Sequence, residues 1–139
     1  MQDILDSGIG IILFLQQFSP QLDRPFLTIT NLGGMRYYIL ALPLVYWCCD
    51  RRTGLRLAVI FLASAWLNTL AKDLACMPRP FAYDARVQAI AHARGGGFPS
   101  GHTQGAAVFW GYLALCIRRW WFWVVTGAVV GLVALSRLY

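Results

Sequence analysis

The run from Leu55 to Cys76 constrains this chain more than any other stretch. It is apolar over the roughly twenty residues that a membrane-crossing helix needs. Its polar members are spaced rather than scattered. Ser64, Asn68 and Lys72 recur every fourth residue and so share one helix face. Hydrocarbon does not solvate such a stripe, so it must turn toward the interior of a bundle, where it leads up to Lys72. Ser64 and Asn68 could belong to a site there or serve as hydrogen-bonding links between helices. Both readings stay open from the spacing alone.

Three further runs have the same character. Tyr37 to Cys49 is unbroken and apolar, with Pro43 inside it, and is long enough to span if it extends back through Gly33. Pro99-Ser100 opens a run to Ile117, with Ser100 as its expected N-cap. Trp120 to Leu135 begins with aromatic residues, as the end of a span at a membrane interface does. Asp50-Arg51-Arg52-Thr53-Gly54 and Arg118-Arg119 read as the turns between them. The composition agrees: 58% hydrophobic and only 13% charged, against about 25% in soluble domains. The expected fold is all-α, a polytopic membrane helix bundle of about four spans, with residues 1–139 forming a single domain.

The connecting segments are of a different kind. Ile4 to Phe18 holds too short an apolar run to span, and is read as an interfacial helix lying along the membrane surface. Ser19 to Arg36, with Pro20, Asp23, Pro25 and Gly33-Gly34, reads as loop. Pro78 and Pro80 end the helix that carries Lys72. Met77 to Pro99 is a polar connection with room for a short helix around Tyr83 to Ala93, and Gly95-Gly96-Gly97 gives a flexible approach to Pro99. Cys48, Cys49, Cys76 and Cys116 show neither metal-ligand nor disulfide spacing and act as small apolar side chains. The net charge of +6 is spread between apolar runs, which argues against nucleic acid as a partner.

The chemistry gathers around the connection. Lys72 precedes Arg79-Pro80, and Pro99-Ser100-Gly101-His102 comes after them. Fixed Lys and Arg donors, a hydroxyl and a Gly-opened helix start match the charge spread over a phosphoryl group. Antiparallel neighbours alternate direction, so the end of the Lys72 helix, the start at Ser100 and the end at Arg137 should meet at one membrane face. Lys72, Arg79 and Arg137 would then hold phosphate oxygens, Arg two at a time. Ser100 and the N–H groups of Gly101 and His102 would add donors where the helix dipole favours an anion. His92 has no spacing that gives it a role. Two-metal hydrolysis needs clusters of Asp, Glu and His, whereas this chain has six Asp, no Glu and two His, with no acidic pair near the site. No metal or other cofactor is expected.

This arrangement resembles the type 2 phosphatidic acid phosphatase (PAP2) family, with its three-part signature K-x6-RP, PSGH and SR-x5-H. Lys72/Arg79-Pro80 and Pro99 to His102 match the first two parts, and Ser136-Arg137 matches the beginning of the third. The resemblance runs from about Tyr37 to the end. It implies that His102 is the general acid for the leaving alkoxide. It also implies that the His of the third part, which lies past Tyr139, attacks phosphorus to form a phosphohistidine. The chain is therefore read as an incomplete PAP2-type core that binds phosphate analogues and hydrolyses nothing by itself. The implied substrates are lipid phosphates or diphosphates whose tails stay in the bilayer, such as a phosphatidate, a phosphatidylglycerophosphate or a polyprenyl diphosphate. The rival class is a non-catalytic membrane protein that binds phosphorylated lipid. A transporter or channel has less behind it, because the spans show no internal repeat.

Charge does not orient the bundle. Arg51, Arg52, Arg56, Arg118 and Arg119 crowd one side, and Arg24, Arg36, Arg86 and Arg94 face them once the site cations are set aside. The family's usual placement implies a bacterial inner membrane with the site on the extracytoplasmic side.

Overall fold

The computed structural model describes residues 10, 12, 17, 21, 23–75 and 98–138. All regular structure among them is helical: α1 (Asp23–Leu32), α2 (Met35–Cys48), α3 (Arg51–Ala75), α4 (Gly101–Ile117) and α5 (Trp120–Leu138). The interfacial helix expected over Ile4 to Phe18 lies outside the described residues, apart from Gly10, Ile12 and Gln17. The connection carrying Cys76, Pro78, Arg79, Pro80, His92 and Gly95-Gly96-Gly97, with the helix expected near Tyr83 to Ala93, also lies outside them.

Three expectations about boundaries are corrected. The segment read as loop, Ser19 to Arg36, contains α1. Pro25 falls in its first turn, where a backbone N–H has no intrahelical partner to lose, so it does not oppose the helix. The run beginning at Tyr37 does not extend back through Gly33. Gly33 N and Gly34 N close onto Thr30 O and Asn31 O, both at 3.0 Å, and α2 starts afresh at Met35. Its 14 residues rise about 21 Å, less than the hydrocarbon thickness of about 30 Å. Finally, Arg51 to Gly54 is helix rather than turn. Asp50 Oδ2 accepts from Thr53 N at 2.9 Å and from Thr53 Oγ1 at 2.8 Å, which caps α3 and lets it begin one residue later.

The membrane character holds. Arg51–Ala75 and Trp120–Arg137 are long and apolar enough to cross a bilayer, and only 22% and 17% of their apolar windows are buried within the molecule. The core helix of a soluble protein would be mostly covered. Here Trp66, Leu74 and Trp120 are each exposed by two thirds or more, a surface suited to lipid. α4, at 17 residues, stands at the lower limit for a span.

Successive helices pack as neighbours, α2 on α3, α3 on α4 and α4 on α5, with α1 lying against α5. Tyr38, Val45, Leu57, Phe61 and Phe109 form the core where α2, α3 and α4 meet. The Tyr38 ring stands 4.7 Å from Phe61 and 5.3 Å from Phe109, centroid to centroid. Gly54 sets how closely α2 and α3 approach: a Cβ there would overlap Tyr46 Cα and lie 2.7 Å from Tyr46 N. At the end of α4, Arg118 takes a left-handed conformation (φ 54°, ψ 30°) and its N–H closes the helix onto Ala114 O. The expected two-Arg turn follows, and α5 runs back toward the start of α4.

Candidate active site

The first component is the end of α3. Lys72 stands in its last turn, where a cation offsets the negative end of the helix dipole. The second is the start of α4. Ser100 is its N-cap, as expected, in extended backbone conformation, with Oγ accepting from Thr103 N at 3.5 Å and from Thr103 Oγ1 at 3.2 Å. Gly101 and His102 are then the first two helical residues, positions whose N–H groups have no carbonyl one turn earlier to bond.

An amide ladder joins these two ends. Gln104 Nε2 donates to Ser64 O at 3.0 Å and to Ser64 Oγ at 2.7 Å. Asn68 Nδ2 donates to Gln104 Oε1 at 2.6 Å and to Pro99 O at 3.5 Å. Ser64 and Asn68 thus act as links between helices, and the same face carries Lys72 to the mouth of a cavity. These interhelical hydrogen bonds account for the inward face of the stripe. Gln104 is the residue that sequence reasoning missed. Its signal was present: an amide near the start of an apolar run has the same need for a partner as Asn68 has.

The cavity has a volume of about 250 Å³. Lys72, Gly101 and His102 line it together with Asn68, Ser64 and Gln104, and Tyr38, Phe61 and Gly105 complete the lining on the core side. Lys72 Nζ lies 3.6 Å from where a Cβ on Gly101 would be, so the glycine keeps open the space in front of the cation. Gly33 has a comparable part. A Cβ on it would come 3.1 Å from His102 Cβ and 2.7 Å from Val133 Cγ1, so its lack of a side chain lets the α1–α2 corner rest against both α4 and α5.

The third component is the end of α5. Ser136 is buried, donates from Oγ to Val133 O at 2.8 Å, and accepts from Thr30 Oγ1 at 2.9 Å, which pins α5 to α1. Arg137 follows in the last turn. The antiparallel register of α4 and α5, with Thr126 Oγ1 reaching Trp110 O at 3.4 Å, sets this end beside the start of α4. Of the six residues singled out by sequence, Lys72, Gly101 and His102 therefore share one cavity wall. Ser100 caps the helix that presents two of them. Arg137 reaches the same end of the bundle without lining the cavity, and Arg79 lies outside the described residues.

The PAP2 superfamily model matches residues 53–139. The chain belongs to the PAP2 superfamily. Its match covers α3, α4 and α5, the three helices whose ends converge. Relatives include sphingosine-1-phosphate phosphatase 1 of Rattus norvegicus, 29% identical over 116 residues, covering 79% of this chain and 27% of that protein. Sphingosine-1-phosphate phosphatase 2 of Mus musculus is 32% identical over 115 residues, covering 78% of this chain and 32% of its own length. A probable sphingosine-1-phosphate phosphatase of Dictyostelium discoideum is 30% identical over 99 residues, covering 70% and 24%. The chain thus spans about a quarter to a third of the length of these PAP2 relatives. No solved structure matches. Within this PAP2 bundle, the first residues of α4, with His102 among them, and Lys72 line one half-open cavity.

Proposed function

We propose that this protein serves the hydrolysis of a lipid phosphate without a metal, with the phosphate seated between Lys72 and the start of α4. The observation that carries this reading is the convergence of Lys72, Gly101 and His102 on one cavity at the end of the bundle. Arg79 and Arg137 complete the set of donors in the proposal, with Ser100 adding its hydroxyl. The relatives' names favour a phosphate monoester on a lipid alcohol over a polyprenyl diphosphate. Outward-facing apolar helices support a cell membrane as the setting, since a site at their ends can take a headgroup while the tail remains among lipids.

The chemistry follows the family pattern. A His nitrogen of the third signature part attacks phosphorus, forming a P–N bond as the P–O ester bond breaks. His102 gives its proton to the leaving alkoxide, a step worth about 10²–10⁴-fold. It then takes a proton from water, which attacks phosphorus and breaks the P–N bond to release phosphate. That attacking His falls past Tyr139, so a polypeptide of residues 1–139 is proposed to bind phosphate and turn over nothing.

Two measurements test this. Titration of the 139-residue polypeptide in detergent micelles with inorganic phosphate, followed by ³¹P NMR, should show binding that Lys72→Ala removes. A polypeptide extended through the third signature part should release phosphate from a lipid phosphate. Binding without release in the longer polypeptide would instead mark a non-catalytic lipid-phosphate binder, and release by residues 1–139 alone would refute the assigned nucleophile.

A further inference from the structure

The two helices that bring His102 and Arg137 to one end of the bundle are joined by the chain at the other. Their connection is the Arg118-Arg119 turn, and the bond from Thr126 Oγ1 to Trp110 O lies about halfway along. Between that bond and the site, α4 and α5 each run on for roughly 15 Å. A tilt of about 5° about this fulcrum moves a helix end by roughly 1 Å, a displacement that can cost a catalytic site about 10²-fold. What holds the two ends together matters accordingly.

The α1–α2 corner touches both. Gly33 is buried, and a Cβ on it would come 2.7 Å from Val133 Cγ1 of α5, 3.1 Å from His102 Cβ and 3.3 Å from His102 O of α4. Val133 is fully buried and β-branched, so its methyl group has little freedom to swing away. One turn earlier, Thr30 Oγ1 donates to Ser136 Oγ at 2.9 Å, and Ser136 Oγ donates on to Val133 O at 2.8 Å. Gly33 N returns to Thr30 O at 3.0 Å, so the close contact and the bond belong to one turn of chain. Val133 and Ser136 are three apart and share a face of α5. The corner therefore grips α5 over its last turn, immediately before Arg137. Ser136 begins the third signature part, yet its buried hydroxyl meets α1 and does not line the cavity. The corner itself precedes residues 53–139, the stretch that the superfamily model matches.

We propose that the α1–α2 corner is a positioning device: Thr30 and Gly33 fix the end of α5 against the start of α4 and so set where Arg137 stands relative to His102 and Lys72. This rests on the phosphate seat proposed above, to which Arg137 contributes a donor. Thr30 and Gly33 are positioning residues, acting on the phosphate through Arg137 rather than by touching it.

A double-mutant cycle on phosphate binding tests this. Inorganic phosphate is titrated into the 139-residue polypeptide in detergent micelles and followed by ³¹P NMR, for the parent, Thr30→Val, Thr30→Ser, Arg137→Ala and Thr30→Val with Arg137→Ala. Arg137→Ala should weaken binding about tenfold, as loss of one charge-assisted hydrogen bond does. Thr30→Val keeps the shape of the side chain and loses its hydroxyl. It should weaken binding by a similar factor, and Arg137→Ala should then add nothing. Thr30→Ser keeps the hydroxyl and should bind as the parent does. A general loosening of the fold would instead leave the two losses multiplying. An equal effect of Arg137→Ala with and without Thr30→Val overturns the positioning role and leaves the phosphate seat intact. No binding by the parent overturns the seat itself, and no effect of Arg137→Ala in the parent removes Arg137 from the seat and the proposal with it. Should Thr30→Val fail to fold, Gly33 decides. Gly33→Ala should weaken binding, and adding Val133→Ala, which removes the opposing methyl group, should recover much of the loss. Gly33→Ala binding as tightly as the parent, or a loss that Val133→Ala leaves unrelieved, overturns the proposal.

Discussion

The two seams on either side of the core differ in kind. Between α2 and α3 the contact is one of shape: Gly54 lies against the Tyr46 backbone, and Val45, Leu57, Tyr38 and Phe61 fill the space. Between α3 and α4, toward the site, it is a ladder of hydrogen bonds from Gln104 to Ser64 and from Asn68 to Gln104. In hydrocarbon, apolar contact between helices has little advantage over contact with lipid tails, so close approach must come from small residues and register from polar ones. The first seam therefore sets distance. The second sets which turn of α3 faces which turn of α4, and so where Lys72 stands relative to His102.

The largest expected effect lies at the mouth of the polar seam. In a polypeptide extended through the third signature part, His102→Ala should lower phosphate release about 10²–10⁴-fold while the protein stays folded. A loss below tenfold would remove His102 from proton transfer and reduce the polar seam to a structural device. Next comes the seam of shape. Gly54→Leu drives a side chain into the Tyr46 backbone, where no change of rotamer relieves the overlap, and should destabilise by about 3 kcal/mol or more in a detergent unfolding titration. A variant as stable as its parent would mean that close approach does not hold α2 to α3.

Gln104→Leu should cost less, about 2 kcal/mol for three interhelical bonds at roughly 0.6 kcal/mol each. A double-mutant cycle with Ser64→Ala would give the coupling directly, and a value near zero would break the contrast between the seams. The smallest effect is at the α2–α3 turn. Bonds from Thr53 N and Oγ1 hold the Asp50 carboxyl below its ordinary value of 3.8. A group depressed in the folded state stabilises above its unfolded pKa and loses that contribution as pH falls through the folded value. Thermal unfolding of the parent should weaken from about pH 5 down to about pH 2 by more than that of Asp50→Asn.

Much of the fold and site is legible in the chain. Leu55 to Cys76 names its own helix, because a long apolar run admits few other structures, and the four-residue spacing of Ser64, Asn68 and Lys72 names its inward face. Ser100 announces the start of α4 through side-chain chemistry that is local to one turn. Errors fall where the deciding interaction is either very short in range or long. Pro25 reads as a loop residue, yet its place in a first turn removes its cost, and Asp50 reads as turn although it is a cap. Gly33 reads as a loop residue or as part of an extended apolar run, yet its place is set by His102 and Val133, far off in the chain. Gln104, an amide in an apolar run, signals its need for a partner, but which residues meet it is hidden because they lie 36 and 40 residues away.

By itself, the sequence determined that this is an all-helical, bilayer-suited chain of the PAP2 superfamily, since run length, helical period and motif spacing are properties of neighbours along the chain. Tertiary structure alone decided which way the amides of Gln104 and Asn68 point and where glycines rather than side chains separate the helices. The reason is physical. A hydrogen bond has a direction that only the opposite helix can impose, and the absence of a side chain has meaning only once something occupies the place where it would have been.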